Sequence, residues 1–304
     1  MKKYVIIGNS AAAIGAVQGI RSVDKDGSIT IITDEAYHTY SRPLISYWLE
    51  GKVADDKIYY REPDFYEKNN VKVIFSVRAE KIENGCVVLD NGEKVQYDKL
   101  LVATGSKPFV PPMKDIDKVE DKFTFMTWDS AKAIREKVTA GTKVLIIGAG
   151  LIGLKCAEAL HHLNADITVV DLADRILALL PNAFMQGEVA GKNMAGEETL
   201  YLNAIPMNAI GFYGLHIITA GSYDGDEDIT EDADKEIYKK LVFKDGLLKG
   251  FILMGDVARA GIYTSMIKEQ IPLTEVDLDL LRDKPQMMMF GKARREEKLA
   301  GKKH

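Results

Sequence analysis

Cysteine is scarce in this chain of 304 residues: only Cys86 and Cys156 occur, far apart and in no pair motif. Two isolated cysteines exclude a disulfide framework and a cysteine-based zinc site, and they favour a reducing, cytoplasmic compartment. Cys156 falls within a predicted helix, where a small buried hydrophobe is the expected role. We therefore expect no metal centre.

Long apolar runs are also missing, and neither sign of charge is in large excess. No segment approaches the ~20 apolar residues of a membrane helix, and the first residues lead into a short strand at Val5–Ile7 rather than into a secretory signal. The 40 Lys and Arg against 45 Asp and Glu give a net charge of −5, which argues against broad binding to nucleic acid. The length predicts two or three compact units, with neither a membrane nor a nucleic-acid partner.

A strand–helix–strand pattern occurs twice in the sequence. Short β-branched runs alternate with apolar residues at helical spacing, which predicts βαβ units and therefore parallel sheets. The first unit consists of strand Tyr4–Ile7, helix Ala11–Arg21 and strand Ser28–Ile32, and the second of strand Lys143–Ile147, helix Leu151–Leu163 and strand Asp166–Val170.

The remaining segments predict further strands. Leu100–Ala103 is fully apolar, so we expect it to be buried on both faces of a sheet. From Thr199 onward the chain alternates between apolar strands and turns, which indicates a separate, small C-terminal α+β domain. Within that domain, the acidic run Asp224–Asp234 is typical of a solvated loop.

A glycine motif opens the helix of the second unit. Gly148 permits a tight turn, Gly150 lets the backbone approach a pyrophosphate, and Gly153 allows close packing of helix on strand. Asp171 closes the following strand, where a carboxylate would bind ribose hydroxyls and repel a 2′-phosphate. The motif predicts binding of NADH in preference to NADPH; the alternative is a close-packed α/β turn without a ligand.

The first unit carries a weaker form of this motif. Ser10 and Ala13 stand where glycines are usual after Gly8, and Asp34 or Glu35 is in place for a ribose. By itself this pattern fits a nucleotide site and a packing turn equally well. The sequence Ala103-Thr104-Gly105 at the end of an apolar strand favours the nucleotide site.

These motifs together resemble the FAD-dependent pyridine nucleotide–disulfide oxidoreductase superfamily. Within it, the chain is most similar to NADH:rubredoxin oxidoreductases and to the flavin portion of NADH-dependent nitrite reductase large subunits. The residues that carry this resemblance are Tyr40-Ser41-Arg42-Pro43-Leu44, the stretches 181–187 and 190–196, Pro206-Met207-Asn208 to Gly214, and Gly255-Asp256-Val257.

The resemblance implies two Rossmann-like dinucleotide-binding units, one for FAD and one for NADH, beside the C-terminal α+β domain. The chemistry would belong to the flavin rather than to a catalytic side chain, with electrons passing to a rubredoxin-like protein or to an iron–sulfur or haem partner. A role of Arg42 and Pro43 beside the flavin competes with that of an ordinary loop start. The implied FAD-binding residues are Gly8, Ser10, Ala11, Ala12, Asp34, Glu35, Ser41, Arg42, Pro43, the residue at position 78 (Arg78), Ala103, Thr104, Gly105, Pro181 and Ala183, and the NAD-binding residues are Gly148, Gly150, Gly153 and Asp171.

The sequence departs from this superfamily in two ways. Residues 36–50 contain no cysteine, so we expect electrons to leave the flavin directly and not through a thiol. Only nine residues separate Asp171 from Pro181, whereas a βαβ unit alone needs roughly 30. We therefore expect an FAD-binding domain at 1–112 and 178–198, a truncated NAD-binding unit at 113–177 and the C-terminal domain at 199–304. A nucleotide-binding protein without NADH turnover is the alternative.

Overall fold

The computed structural model describes residues 1–171, 180–200, 205–292 and 294–296. Contacts divide these residues into two compact units, one comprising 1–171 with 180–200 and the other comprising the described residues from 205 onward. The first unit contains the parallel sheets and the second an antiparallel sheet. This arrangement confirms the predicted fold class.

The first unit is built from helices and strands in close alternation. Its strands are β1 (Lys3–Ile7), β2 (Ser28–Ile32), β3 (Val71–Ile74), β4 (Ala79–Glu83), β5 (Cys86–Leu89), β6 (Lys94–Gln96), β7 (Lys99–Val102), β8 (Lys143–Ile147) and β9 (Asp166–Val170). Its helices are α1 (Ala11–Val23), α2 (Leu44–Glu50), α3 (Phe65–Lys68), α4 (Trp128–Lys137), α5 (Leu151–His162) and α6 (Leu180–Ala195).

The main sheet of this unit is parallel, with the strand order β3-β2-β1-β7. β1 and β2 flank helix α1, as the first βαβ pattern predicts, and Tyr4, Ile6 and Ile14 are fully buried between sheet and helix. The expectation that the strand at Leu100–Ala103 is buried on both faces is wrong, since the side chain of Val102 is 57% exposed. The reason is that β7 is an edge strand, which pairs only with β1 among the described strands.

Helices α1 and α6 cross at backbone contact. A Cβ atom on Gly187 would lie 1.9 Å from the carbonyl oxygen of Ala12, and one on Gly191 would lie 2.2 Å from that of Ala16. These contacts advance in the same direction along both helices, so α1 and α6 run parallel. Both N-termini therefore lie at the same end of the sheet, the end at which β1 finishes.

The second βαβ unit forms a small parallel sheet of β8 and β9. Helix α5 follows β8 and contributes to the same core as Val144 and Ile146 of that strand. The alternate residues of β8 are exposed, with Leu145 at 60% and Ile147 at 46%. One face of this two-stranded sheet therefore lacks a covering layer within the described part of the chain.

The second unit is a five-stranded antiparallel sheet with helices packed on it. The strand order is β10-β11-β14-β13-β12. Its elements are β10 (Met207–Phe212), β11 (Leu215–Gly221), β12 (Asp226–Asp232), β13 (Ile237–Lys244), β14 (Leu247–Met254), α7 (Ala260–Glu269) and α8 (Leu278–Arg282).

The acidic run of this unit is a strand and not the expected loop. Asp226–Asp232 pairs with β13 over its whole length. Glu227 forms an ion pair with Lys240 of β13, and Asp228 accepts a hydrogen bond from Arg282 Nε at 2.6 Å. Opposite charges on neighbouring elements thus offset the repulsion within the run.

Candidate functional site

The loop after β1 passes very close to the end of β7. The Gly8 backbone has φ = +111°, and a Cβ at this residue would lie 2.2 Å from the carbonyl oxygen of Ala103. The Gly8 N–H donates to the carbonyl of Ile32 at 2.8 Å. A glycine is therefore required here by both backbone conformation and space.

Ser10, Ala11 and Ala12 form the start of α1. Ser10 is the N-cap residue in an extended conformation, and its carbonyl accepts from Ile14 N–H at 3.1 Å. The first amide groups of any helix have no partner within the helix. At α1 they face the carboxyl end of the sheet, where they and the helix dipole favour an anion.

The segment Ala103-Thr104-Gly105 lies beside this loop. The Ala103 N–H donates to the carbonyl of Ile7 at 2.8 Å, which continues the pairing of β7 with β1. Thr104 and Gly105 are exposed, and no heavy atom lies within 4 Å of a Cβ built on Gly105. The end of the sheet is thus open next to the first loop.

Glu35 and Asp34, the two candidates for the ribose, have different surroundings. Glu35 accepts a hydrogen bond from Tyr40 Oη at 2.9 Å through one oxygen and from Arg42 Nη2 at 3.1 Å through the other. Arg42 Nη1 also donates to the carbonyl of Met126 at 3.1 Å. Burial raises the pKa of Tyr40, so its hydroxyl remains a neutral donor. Glu35 is thus held in a fixed network, whereas Asp34 is exposed.

Ser41, Arg42 and Pro43 lead into α2. The Ser41 N–H donates to the carbonyl of Ile58 at 2.8 Å, and its carbonyl accepts from Leu44 N–H at 2.9 Å. Pro43 is the N-cap residue of α2, with φ = −60°. This segment is therefore a hydrogen-bonded turn that fixes the direction of Arg42.

The remaining residues implied to bind FAD are Arg78, Pro181 and Ala183. Arg78 is exposed, and its carbonyl accepts from Asp90 N–H at 2.9 Å; its neighbour Val77 donates to Thr33 at 3.0 Å. Pro181 and Ala183 belong to the first turn of α6, but their side chains lie outside the described residues. The parallel crossing of α6 on α1 directs this first turn toward the loop after β1.

Two residues that hold the first loop, Asn9 and Tyr66, are not indicated by the glycine motif. Asn9 Oδ1 accepts a hydrogen bond from Tyr66 Oη at 2.6 Å, and Asn9 Nδ2 donates to the carbonyl of Tyr37 at 3.3 Å. Tyr66 belongs to α3, which is 57 residues further along the chain. No local pattern in the sequence could have indicated this contact.

The glycines of the second motif form a turn and a close helix packing. Gly148 has φ = +112°, and no heavy atom of the described residues lies within 4 Å of a Cβ built on Gly148 or on Gly150. A Cβ on Gly153 would lie 1.8 Å from the carbonyl oxygen of Gly148. The Asp171 carboxylate accepts a hydrogen bond from the Ala149 N–H. The loop is thus packed on its inner side, open on its outer side, and bordered by a carboxylate.

Helices α2 and α5 are joined by buried charges. Glu50 is only 3% exposed and lies against Lys52, with His162 Nε2 3.1 Å from its Oε1. Glu158 is 6% exposed and forms an ion pair with Lys155, whose ammonium lies 4.2 Å from the centre of the Tyr47 ring. This network connects the helix after the Ser41–Pro43 turn to the helix of the second motif.

Both cysteines lack the surroundings of a reactive thiol. Burial raises the pKa of Cys156 to about 12, so its thiol stays protonated at neutral pH. The Cys86 thiol is buried and donates to the carbonyl of Glu83 at 3.0 Å. Neither residue has the electropositive, partly exposed surroundings that activate a nucleophilic cysteine.

Comparison with known families accounts for this combination of loops. Residues 2–191 match the pyridine nucleotide-disulphide oxidoreductase family, and residues 206–271 match the rubredoxin NAD+ reductase C-terminal domain. The chain belongs to the pyridine nucleotide-disulphide oxidoreductase family. The predicted enzyme class and the two predicted cofactors, FAD and NADH, are confirmed at the level of this family.

Curated relatives in this family share about a quarter to a third of their residues with the chain. It is 25% identical to subunit epsilon of the NADH-dependent phenylglyoxylate dehydrogenase of Aromatoleum evansii, over 90% of this chain and 93% of that one. It is 32% identical to the NADH-rubredoxin oxidoreductase of Clostridium acetobutylicum, over 52% of this chain and 41% of that one. The Escherichia coli nitrite reductase (NADH) large subunit is 31% identical, over 58% and 21%.

The share of each relative that the sequence alignment covers differs widely between these proteins. The sequence alignments with the NADH-rubredoxin oxidoreductase and the nitrite reductase large subunit cover less than half of those two proteins. The alignment with the phenylglyoxylate dehydrogenase subunit runs over 391 residues, more than the 304 of this chain. Part of that alignment therefore faces gaps in this chain.

Solved structures confirm the fold. The NADH:rubredoxin oxidoreductase of Clostridium acetobutylicum matches with a TM-score of 0.69 at 22% identity, over 93% of this chain and 99% of that one. A putidaredoxin reductase, solved as a covalent complex with putidaredoxin, matches with a TM-score of 0.75 at 16% identity, over 98% of each chain. Among the described residues, no helix is both long and apolar enough to cross a membrane.

Proposed function

We propose that this protein is an FAD-dependent oxidoreductase that passes electrons from NADH to a small redox acceptor, either a protein of the rubredoxin or ferredoxin type or a metal cluster. The observation that carries the proposal is the close approach of Gly8 to Ala103. A Cβ on Gly8 would lie 2.2 Å from the carbonyl oxygen of Ala103. That approach brings two segments of the implied FAD site together within the region matched by the family.

The residues around the first loop fit FAD. The amides of Ala11 and Ala12 at the start of α1 suit a pyrophosphate, and the carboxylate of Glu35 suits a ribose. The space beside Gly105 admits the cofactor next to Thr104. Because α6 runs parallel to α1, its N-terminus contributes a second positive dipole end in the same region.

The two acidic candidates have separable roles in this proposal. Glu35 is fixed by Tyr40 and Arg42, so its carboxylate is oriented before a cofactor binds. Asp34 is exposed and would have to be ordered on binding. We therefore assign the ribose to Glu35, with Arg42 neutralising its charge.

The second loop fits the pyrophosphate and ribose of NADH. Its outer side is open at Gly148 and Gly150, while Gly153 keeps α5 packed on β8. The Asp171 carboxylate borders the loop through its contact with Ala149. This position suits hydrogen bonds to the two hydroxyls of an adenosine ribose.

When bound, FAD would supply the hydride and single-electron chemistry that protein side chains lack. The chain itself binds and orients the two nucleotides. Arg42 is held toward Glu35 by the turn before α2, and the network between α2 and α5 fixes the relative position of the two loops. Because the thiols of Cys86 and Cys156 are both buried, we assign them no part in electron transfer.

The proposed partner rests on the relatives. Relatives include an NADH-rubredoxin oxidoreductase, a ferredoxin–NAD(+) reductase component and a putidaredoxin reductase. The match of residues 206–271 to the rubredoxin NAD+ reductase C-terminal domain supports a partner of the same class. The proposed acceptor is therefore a small redox protein or cluster.

Two observations favour a second function, that of a flavin- or nucleotide-binding protein without NADH turnover. The β8–β9 sheet has an uncovered face with Leu145, Ile147 and Val170 exposed, and part of the alignment with a full-length relative faces gaps in this chain. An incomplete second unit would bind the adenosine half of NADH but would not position its nicotinamide.

An anaerobic absorption spectrum distinguishes these functions. Purified protein is expected to be yellow with FAD and to bleach on addition of NADH. Yellow protein that is bleached by dithionite but not by NADH would support the second function. Protein that stays colourless after incubation with FAD would contradict the oxidoreductase and a flavin-binding protein alike. The intact mass is a second check: a value well above 33.7 kDa would show that the protein contains a segment that this sequence lacks, and would weaken the case for an incomplete second unit.

A further inference from the structure

The loop after β1 is held from outside by a single buried hydroxyl. Tyr66 Oη donates to Asn9 Oδ1 at 2.6 Å and accepts from the Thr39 N–H at 3.1 Å. Asn9 Nδ2 donates in turn to the carbonyl of Tyr37 at 3.3 Å. Tyr66 thus joins three segments: the loop at Asn9, the segment 37–39, and helix α3.

The bond between Tyr66 and Thr39 is buried, and the two bonds of Asn9 are partly buried. Thr39 and Tyr66 are buried, and Asn9 is partly buried. Burial raises the pKa of Tyr66, so the hydroxyl keeps the proton that it donates. A hydrogen bond in buried surroundings is strong, and loss of the Tyr66 hydroxyl would take this acceptor away from the buried Thr39 N–H.

The segment held by Tyr66 continues into the rest of the implied FAD site. Residues 37–39 lie directly before Tyr40, which bonds to Glu35, and before the turn that carries Arg42. The loop at Asn9 lies directly between Gly8 and the start of α1. One hydroxyl therefore fixes both the pyrophosphate side and the ribose side of the site.

We propose that Tyr66 and Asn9 are positioning residues for FAD, which hold the first loop and the segment before Arg42 in the binding conformation before the cofactor arrives. The inference rests on the proposed function and extends it to residues outside the glycine motif. A loop that is ordered in advance loses less conformational entropy on binding, and so binds more tightly than the same loop left mobile.

The substitution Tyr66→Phe removes only the hydroxyl and keeps the buried ring. The matched control is Tyr4→Phe, because Tyr4 is a fully buried tyrosine of the same sheet whose hydroxyl donates to Asp24 at 2.8 Å, at the opposite end of β1. The full-length protein is freed of flavin, and FAD affinity is then measured by quenching of flavin fluorescence. The unfolding temperature of the flavin-free protein is recorded for each variant.

We expect Tyr66→Phe to weaken FAD binding about tenfold, which corresponds to about 1.4 kcal/mol, and Tyr4→Phe to leave the affinity within about twofold of the wild-type value. Both variants are expected to lower the unfolding temperature of the flavin-free protein by comparable amounts. A purely structural role of Tyr66 would change the unfolding temperature alone.

A double-mutant cycle tests whether the two residues act together. Asn9→Leu removes both side-chain bonds of Asn9 at similar size, and the loss of FAD affinity in the double variant Asn9→Leu/Tyr66→Phe should be smaller than the sum of the losses in the two single variants, because only the Asn9–Tyr66 bond is shared between them. Unchanged FAD affinity in Tyr66→Phe, or fully additive losses in the double variant, would overturn the inference while leaving the proposed function intact. Failure of the wild-type protein to bind FAD in the same titration would instead overturn the proposed function, and this inference with it.

Discussion

Gly187 of α6 lies directly against the carbonyl oxygen of Ala12 in the first turn of α1, with 1.9 Å between that oxygen and the position of a Cβ. Gly15, Gly19 and Gly191 repeat the same contact further along the two helices. The four glycines let the backbones touch, and this contact brings the N-terminus of α6 to the same end of the sheet as that of α1.

Gly187→Ala is therefore expected to force the two helices apart. Overpacking of this kind costs about 1–3 kcal/mol, and the shift should also weaken FAD binding because the start of α1 moves with it. Thermal unfolding and an FAD titration measure the two effects. Gly261→Ala in α7 is the control, since no heavy atom lies within 4 Å of a Cβ there. It should be neutral or slightly stabilising, and equal behaviour of the two variants would contradict the account.

Local patterns in the sequence predict features that lie within one βαβ unit. The turns at Gly8 and Gly148 and the close approach at Gly153 agree with the pattern because neighbouring residues specify them, and the ligand-binding roles of these glycines and of the acidic residues stay predictions. The strand boundaries of β2, β8 and β9 agree with the sequence patterns for the same reason.

Contacts between distant segments could not be predicted in this way. The Asn9–Tyr66 bond and the α1–α6 crossing join residues that are far apart in sequence, so no periodicity indicates them. The prediction of a solvated loop at Asp224–Asp234 is wrong because the partners of strand β12, Lys240 and Arg282, lie on other elements. Likewise, the apolar composition of β7 could not reveal that it is an edge strand.

The buried charges between α2 and α5 predict a large loss of stability when one is removed. Lys155→Met takes away the ammonium beside Glu158, which is 6% exposed, and breaking a buried pair typically costs about 3–5 kcal/mol. Chemical denaturation should show this loss at neutral pH. Lys57→Met is the control, because Lys57 and its partner Asp56 are both largely exposed. A Lys155 variant as stable as this control would show that the pair contributes little.

The buried thiol of Cys156 predicts a loss of stability at high pH. Burial raises its pKa from 9.0 to about 12, so the folded state holds the neutral thiol while the unfolded chain ionises first. Stability from this group is present below pH 9 and is lost as the pH rises from 9 toward 12. Cys156→Ala should show a smaller decline over this range in denaturation experiments. It should also retain any NADH-dependent flavin reduction, and loss of that reaction in a folded variant would contradict the absence of a thiol role.

The preference between NADH and NADPH depends on Asp171. Its carboxylate accepts a hydrogen bond from the Ala149 N–H, which holds it against the loop where an adenosine ribose would bind. A 2′-phosphate at that position would meet a like charge at close range, a juxtaposition that costs on the order of several kcal/mol. We therefore expect binding, or flavin reduction where it occurs, to favour NADH by at least about tenfold, or roughly 1.4 kcal/mol. Asp171→Ser should erode this preference, whereas Asp166→Ser, at the opposite end of the same strand, should keep it. Equal use of the two nucleotides by the unmodified protein would show that Asp171 does not contact the ribose, and the assignment of the second loop to NADH would then be wrong.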